Sequence, residues 1–266
     1  MKRIQSLTVI LPVIDEKDNL AILIPEINSV LSARELKYEV IVVDDGSTDG
    51  TEQLLEAMSK VIPRVRHFTR SARPKSLPQS IMDGAAQAAT SHVLWMDADG
   101  SMPPETIPEL LDEFEAANQP SIVVGSRFAP GGGFKGIEIV GETSWRQIHR
   151  NIRDSNDSLL AVVLSRILNK YLWLSLNRCC RDLATGFVLA ERSLVMSLGL
   201  RGSYGDYCVR FLFRAHQMGV SIVEVPFINQ VRIHGMSKTG SNLWDYLRRG
   251  IPYVMLPIVL RISRKH

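Results

Sequence analysis

Cysteine is scarce in this chain of 266 residues: Cys179, Cys180 and Cys208 are the full complement. No Cys-x-x-Cys spacing occurs, which removes the common zinc and dithiol motifs, and adjacent cysteines rarely bond to each other. A reduced compartment, the cytosol, is the expectation. Long hydrophobic runs are missing too. No stretch reaches the roughly eighteen apolar residues that a spanning helix needs. There is no Gly-Lys-Ser/Thr, hence no P-loop, and Gly131–Gly133 lacks the strand–loop–helix context of a dinucleotide fold. Charge of one sign is not in excess. Lys and Arg number 31 against 28 Asp and Glu, a net +3, which argues against a nucleic-acid binder and against a disordered tail protein. Internal repeats and low-complexity segments are absent.

What is present is ordinary for a globular protein, with 45% apolar and 22% charged residues. The length suits one large domain or two small ones. Residues 7–14 could open a signal peptide, but Pro12 interrupts them and Asp15-Glu16-Lys17-Asp18 follows at once, so a buried strand is expected. Short apolar runs at 7–11, 40–43, 65–68, 93–96 and 122–124 alternate with helical patterns at 19–31, 49–58, 76–89 and 104–117. That rhythm predicts an α/β fold, a mostly parallel sheet flanked by helices. The rhythm breaks over 129–178, where 159–176 reads as one helix. A loop at 181–187, a helix over 206–218 and a strand over 222–225 follow. The tail from 243 to 266 reads as an amphipathic helix broken by Pro252 and Pro257.

In open parallel sheets, ligands bind beyond the carboxyl ends of the strands. Four successive strand exits carry polar residues: Pro12 to Glu16, Asp44-Asp45-Gly46-Ser47, Asp97-Ala98-Asp99, and Gly125-Ser126-Arg127. Asp97 and Asp99, two residues apart, suit a hard divalent cation, Mg²⁺ or Mn²⁺, shared with substrate phosphates. Asp44 and Asp45 are adjacent like charges at a buried strand end, which is costly without partners. The plainer reading of 44–51 is a turn and helix cap. Arg127, beside this acid-lined edge, suits a phosphate contact.

These exits, in the order Pro12…Asp15-Glu16, Val42-Val43-Asp44-Asp45-Gly46-Ser47-Thr48-Asp49-Gly50-Thr51, Met96-Asp97-Ala98-Asp99 and Gly125-Ser126-Arg127-Phe128, resemble family-two glycosyltransferases of the GT-A, Rossmann-like fold. The likeness is greatest to polyprenyl-phosphate sugar transferases, the dolichol-phosphate mannosyltransferase group. Asp182-Leu183-Ala184-Thr185-Gly186-Phe187, and Glu224-Val225-Pro226 followed by Arg232-Ile233-His234-Gly235-Met236-Ser237-Lys238, extend it, to roughly residues 6–250. The resemblance implies a nucleotide pocket of Pro12, Glu16, Asp44 and Asp45, and a Mg²⁺ or Mn²⁺ site at Asp97 and Asp99. It implies phosphate contacts from Arg127, Arg232, Ser237 and Lys238. Departures are Ile14-Asp15-Glu16 for Tyr-Asn-Glu, no glycine before Gly84 ahead of the third helix, and Arg210 where an acid is common, with Asp206 one turn earlier.

The implied reaction is inverting transfer of a hexose, mannose foremost, from a GDP- or UDP-sugar to a polyprenyl (dolichyl or undecaprenyl) phosphate. A lipid phosphate is already anionic and needs cations rather than a general base; a hydroxyl acceptor would call for a carboxylate such as Asp206. A sugar or protein hydroxyl acceptor and a non-catalytic nucleotide-sugar-binding subunit stay open as alternatives. The expected layout is a catalytic domain over 1–240, an acceptor-side insertion at 130–180 and an interfacial or membrane-associating helix at 241–266. Its apolar run at 251–260 is flanked by Arg248, Arg249, Arg261, Arg264 and Lys265, which suits an anionic membrane surface. The expected setting is peripheral, on the cytoplasmic face of a membrane. Many family members carry additional membrane helices; this chain is expected to do without them.

Overall fold

The computed structural model describes residues 3–71, 74–117, 119, 121–134, 159–202, 205–232 and 243–262, with 159–163 and 243–252 as backbone only. Strand β1 (Ser6–Val13) buries side chains alternately in two cores. Leu7, Val9, Leu11 and Val13 face one, Ile10 the other. In β2 (Lys37–Asp44), Val40 and Val42 join the first core, Ile41 and Val43 the second. Burial on both faces is why these strands read as continuous apolar runs rather than as alternation. β3 (Val65–Thr69), β4 (His92–Trp95), β5 (Ser121–Ser126), β7 (Val188–Glu191) and β8 (Ser221–Pro226) complete a seven-stranded sheet, in the order β3-β2-β1-β4-β7-β5-β8. All neighbours pair in parallel except β7, which runs against both β4 and β5. Two-residue strands β6 (Gly133–Phe134) and β9 (Ile228–Asn229) pair separately.

Helices α1 (Lys17–Ser32), α2 (Thr51–Val61) and α4 (Ile107–Ala116) supply the first core through residues such as Leu20, Ile24, Leu55 and Leu110. α3 (Leu77–Gln87), α5 (Leu159–Ser175), α6 (Arg192–Leu198) and α7 (Asp206–Gln217) supply the second, where Trp95 meets Phe211 edge-on at 5.6 Å between ring centroids. Helix α3 approaches the sheet closely: a Cβ at Gly84 would lie 2.6 Å from Ile10 Cγ2.

The expected parallel α/β sheet is observed. The last helix departs from expectation: α8 (Leu243–Ile262) runs unbroken through Pro252 and Pro257. Each proline removes one intrahelical bond, and tertiary packing offsets the loss. Leu256 is buried against the second core, and the Tyr171 hydroxyl on α5 donates to the Val254 carbonyl at 2.8 Å. β7 and α6 had no counterpart in the sequence reading, because four residues with a buried apolar run are too short to tell strand from loop.

Glu39 ties β2 to its neighbours. Its oxygens accept from Thr8 Oγ1 at 2.8 Å, the Ala89 amide at 2.9 Å, and Arg66 Nε and Nη2 at 3.0 and 2.7 Å. Burial alone would raise its pKa; these donors override that and lower it. A lowered carboxylate contributes stability that is present above the ordinary glutamate value and lost as pH falls through the folded one. Glu39→Gln should cost about 1–2 kcal/mol at neutral pH. Its melting temperature should also fall less than the wild type's below about pH 4, as read by thermal denaturation across pH.

Candidate active site

The parallel strands β1, β2, β4, β5 and β8 end at one edge of the sheet. β7, being reversed, begins there. At this edge the loops after β1 and β2 latch together. Asp15 adopts a left-handed φ of 53°. Its amide donates to Ser47 Oγ at 2.8 Å and its Oδ1 accepts the Thr48 amide at 2.7 Å. The Lys17 amide donates to Asp49 Oδ2 at 2.9 Å, while Asp49 Oδ1 accepts the Thr51 amide at 3.0 Å at the start of α2. Thus residues 47–51 form a hydrogen-bonded turn leading into α2, whose N-cap, Gly50, makes no side-chain cap bond.

Asp44 and Asp45 sit beneath that latch, both buried. Asp44 Oδ1 accepts the amides of Gly46 and Ser47 at 3.1 and 2.9 Å and the Ser47 hydroxyl at 2.7 Å. Asp45 pairs with Arg70 Nη1 at 2.9 Å and accepts the Ser76 amide at 2.6 Å; Arg70 Nε also reaches Asp83 at 2.8 Å. These donors remove the cost of two adjacent buried acids. Glu16 accepts from Asn19 at 2.6 Å, and Pro12 is half-buried within β1.

Two residues past β4, Asp97 is half-buried and Asp99 buried. Burial first, and then the Asp99 charge, push the Asp97 carboxyl up to about 6, against the opposing pull of Arg232 and Arg127. Asp99 Oδ1 accepts the Ser101 amide at 2.9 Å, and Oδ2 pairs with Arg232 Nη2 at 2.8 Å. Arg232 arrives by a bond from the Gln230 amide to the Ser101 carbonyl at 2.8 Å, which carries the segment after β9 along this edge.

Arg127 leaves β5 and is fixed by Asp182, which has no exposed surface. Nε and Nη2 donate to the two carboxylate oxygens, each at 2.8 Å, and the Arg127 amide donates at 2.9 Å. Burial would weaken its charge, but Asp182 holds the guanidinium more firmly protonated than usual. The rings of Phe128 and Phe134 lie 5.5 and 5.7 Å from it.

A second brace lies behind this pair. Glu224 on β8 accepts the Ser126 hydroxyl at 2.7 Å, the Arg181 amide at 3.0 Å and Arg181 Nη1 at 3.2 Å. Neither Asp182 nor Glu224 had been given a role. For Glu224 the signal was a carboxylate in the middle of a β-branched strand.

Asp206 opens α7 and pairs with Arg210 Nε at 3.0 Å, one turn on. Ser237 and Lys238 lie outside the described residues. Burial raises the thiol pKa of Cys179, to about 11, and of Cys180 and Cys208 further, so none of the three is a thiolate at neutral pH.

Asp97 and Asp99 fit a hard divalent cation. Both present carboxylate oxygens, and Asp99 Oδ2 already faces a cation. Burial and the neighbouring Asp99 charge, which raise the Asp97 value, both disfavour its ionised form, and a bound cation would oppose them. Among the described residues no third His, Cys, Asp or Glu completes a cluster. Such a set matches the habit of Mg²⁺, which takes one or two carboxylates and completes its shell with water and substrate phosphate.

A sheet of this order with a two-carboxylate exit defines a GT-A type nucleotide-sugar transferase fold. The model of Glycosyl transferase family 2 matches residues 8–195, and the chain belongs to that family. It is 30% identical over 246 residues to the polyprenol monophosphomannose synthase of Mycolicibacterium smegmatis, covering 90% of this chain and 83% of that one. It is 30% identical over 242 residues to the dolichol-phosphate mannosyltransferase of Pyrococcus furiosus, covering 91% of this chain and 61% of that longer protein. Among solved structures, glucosyl-3-phosphoglycerate synthase from Mycobacterium tuberculosis with Mn²⁺, UDP and phosphoglyceric acid superposes with a TM-score of 0.65 at 18% identity, over 95% of this chain and 78% of the other. The same enzyme with Mg²⁺ and UDP gives 0.63 at 18% identity, over 95% and 79%. At that identity the likeness carries the fold alone.

Gly186 sits against Asp97. A Cβ there would lie 3.1 Å from Asp97 Oδ1 and 3.3 Å from its Cγ. Gly186→Ala should push the carboxylate aside by a few tenths of an ångström. The expected result is Mn²⁺ affinity about tenfold weaker with an almost unchanged melting temperature, read by titration calorimetry and thermal shift.

Proposed function

We propose that the chain is a metal-dependent, inverting hexosyltransferase that moves a hexose, mannose foremost, from a nucleotide sugar to a polyprenyl phosphate. The observation that carries the reading is the approach of Arg232 to within 2.8 Å of Asp99. It brings a cation from the far end of the fold against the diphosphate-side acids. An anionic acceptor needs such a cation to approach an anionic donor, and it needs no base. The alternative base, Asp206, is engaged by Arg210. The two mannosyl-transferring relatives support the same acceptor and sugar.

In this reading Pro12, Glu16, Asp44 and Asp45 shape the nucleoside pocket, and GDP-mannose is the first donor to test. Asp97 and Asp99 hold Mg²⁺ or Mn²⁺, which when bound neutralises charge on the departing diphosphate. Arg127, held by Asp182, and Arg232, Ser237 and Lys238 orient phosphates. A phosphate oxygen of the acceptor attacks the anomeric carbon from the side opposite the leaving group. The bond from that carbon to the diphosphate oxygen breaks, the configuration inverts and no proton moves.

The lipid acceptor implies a membrane surface, on its cytoplasmic face. No helix among the described residues is long and apolar enough to cross a membrane. Helix α8 buries Leu256 and exposes Val254, Met255, Ile258, Val259 and Ile262, an apolar stripe at helical spacing. Together with the flanking arginines, this supports residues 241–266 as an interfacial segment beside a catalytic domain over 1–240, with 130–180 on the acceptor side.

The test uses purified protein, Mn²⁺, labelled GDP-mannose or UDP-glucose, and polyprenyl phosphate, followed by organic extraction. Label should enter the lipid phase, and Asp99→Ala should abolish it while the protein stays folded. Nucleotide binding with no lipid-phase label from either donor would sink the reading; label on soluble sugar alone would move it to a hydroxyl acceptor. Separately, Ile258→Asp with Val259→Asp should cut flotation with anionic vesicles by about tenfold or more at unchanged melting temperature.

A further inference from the structure

Asp99 has one oxygen committed to the protein and one to a side chain that can leave. Oδ1 accepts the Ser101 amide; Oδ2 is paired with Arg232. The Asp99 side chain is only 6% exposed, so its charge cannot go uncompensated, whereas Arg232 is 30% exposed and has solvent to move into. Arg127 offers no substitute, since two of its donor nitrogens are spent on Asp182. The backbone that carries Arg232 is pinned two residues earlier by the Gln230 amide on the Ser101 carbonyl. The side chain can therefore swing while its base stays in place.

We infer that Arg232 is a placeholder on the metal-binding carboxylate, and that arrival of a divalent cation at Asp99 releases its guanidinium to bind the acceptor phosphate. This rests on the metal reading above and adds a binding order to it. A guanidinium and a divalent ion held at the same Oδ2 would place two positive charges against each other at close range, so each weakens the other's binding there. Metal binding then carries the cost of breaking the ion pair, and acceptor binding is deferred until the ion is in. Linkage makes the effect mutual: the ion must tighten acceptor binding by the same factor as the acceptor tightens the ion. Without the ion, Arg232 keeps a cation on Asp99 and leaves the acceptor phosphate without its partner.

The experiment uses the full chain without nucleotide and Mg²⁺ alone, followed by the side-chain Nε–H resonance of Arg232 in ¹⁵N NMR, assigned by its loss in Arg232→Lys. The resonance should shift on the same isotherm as metal binding measured by calorimetry. In parallel, Mn²⁺ titrated by EPR should bind Arg232→Gln about tenfold or more tighter than wild type. Farnesyl phosphate in detergent should bind wild type more tightly with Mg²⁺ than without, and Arg232→Gln equally in both. Mg²⁺ binding that leaves the Arg232 resonance unmoved would overturn the placeholder while leaving the metal site standing. So would Mn²⁺ affinity in Arg232→Gln equal to or below the wild type's. No binding of either ion to wild type, or binding that Asp99→Asn leaves undiminished, would overturn the metal reading as well.

Discussion

Two carboxylates two residues apart, at a largely buried strand exit, cannot both hold their charge unaided. The rest of this site is a response to that constraint. Arg127 and Arg232 supply positive potential from opposite halves of the chain, and each is steered by a separate hydrogen-bonded support. Gly186 leaves the Asp97 carboxylate space that a Cβ would crowd. The raised Asp97 pKa reflects burial first and the Asp99 charge second, which Arg232 and Arg127 oppose only in part. The same arithmetic governs Asp45, where Arg70 and the Ser76 amide neutralise a buried acid internally. One edge thus carries two treatments of buried charge: internal pairing at Asp45, and only partial opposition from arginines at Asp97.

Much of the first half was legible because it depends on local pattern. Strands buried on both faces are continuous apolar runs, and the residues at their exits are polar by contrast, so Asp44, Asp97 and Arg127 stood out. The second half was less legible, since its logic is pairwise and distant. Nothing near Asp182 in the chain announces that it will clamp an arginine 55 residues away. Glu224 appears as a lone acid in a strand until Ser126 and Arg181 are brought to it. The unbroken α8 was missed for a related reason: proline's local cost was visible, while the packing of Leu256 and the bond from Tyr171 that offset it were not.

Helix α8 differs from an ordinary surface helix in having apolar residues on both the packed and the open side. One side is fixed to the second core through Leu256. The other keeps Val254, Ile258 and Ile262 in solvent, a cost that a helix serving only to cap the fold would have no reason to carry. The packed side holds that stripe in fixed geometry beside α5 and α7.

The reversed strand β7 has a consequence for how the molecule comes together. β5 has no partner among the first five strands; it pairs with β7 and β8 alone. Residues 188–191 are what join β5 to β4 in the sheet, and the segment leading into them carries Asp182 to Arg127 and Gly186 to Asp97. Closure of the sheet and completion of the charge balance are thus one long-range step, of the kind that is slow because distant segments must meet before any contact rewards them. A chain truncated before β7 would hold the acids without the clamp on Arg127.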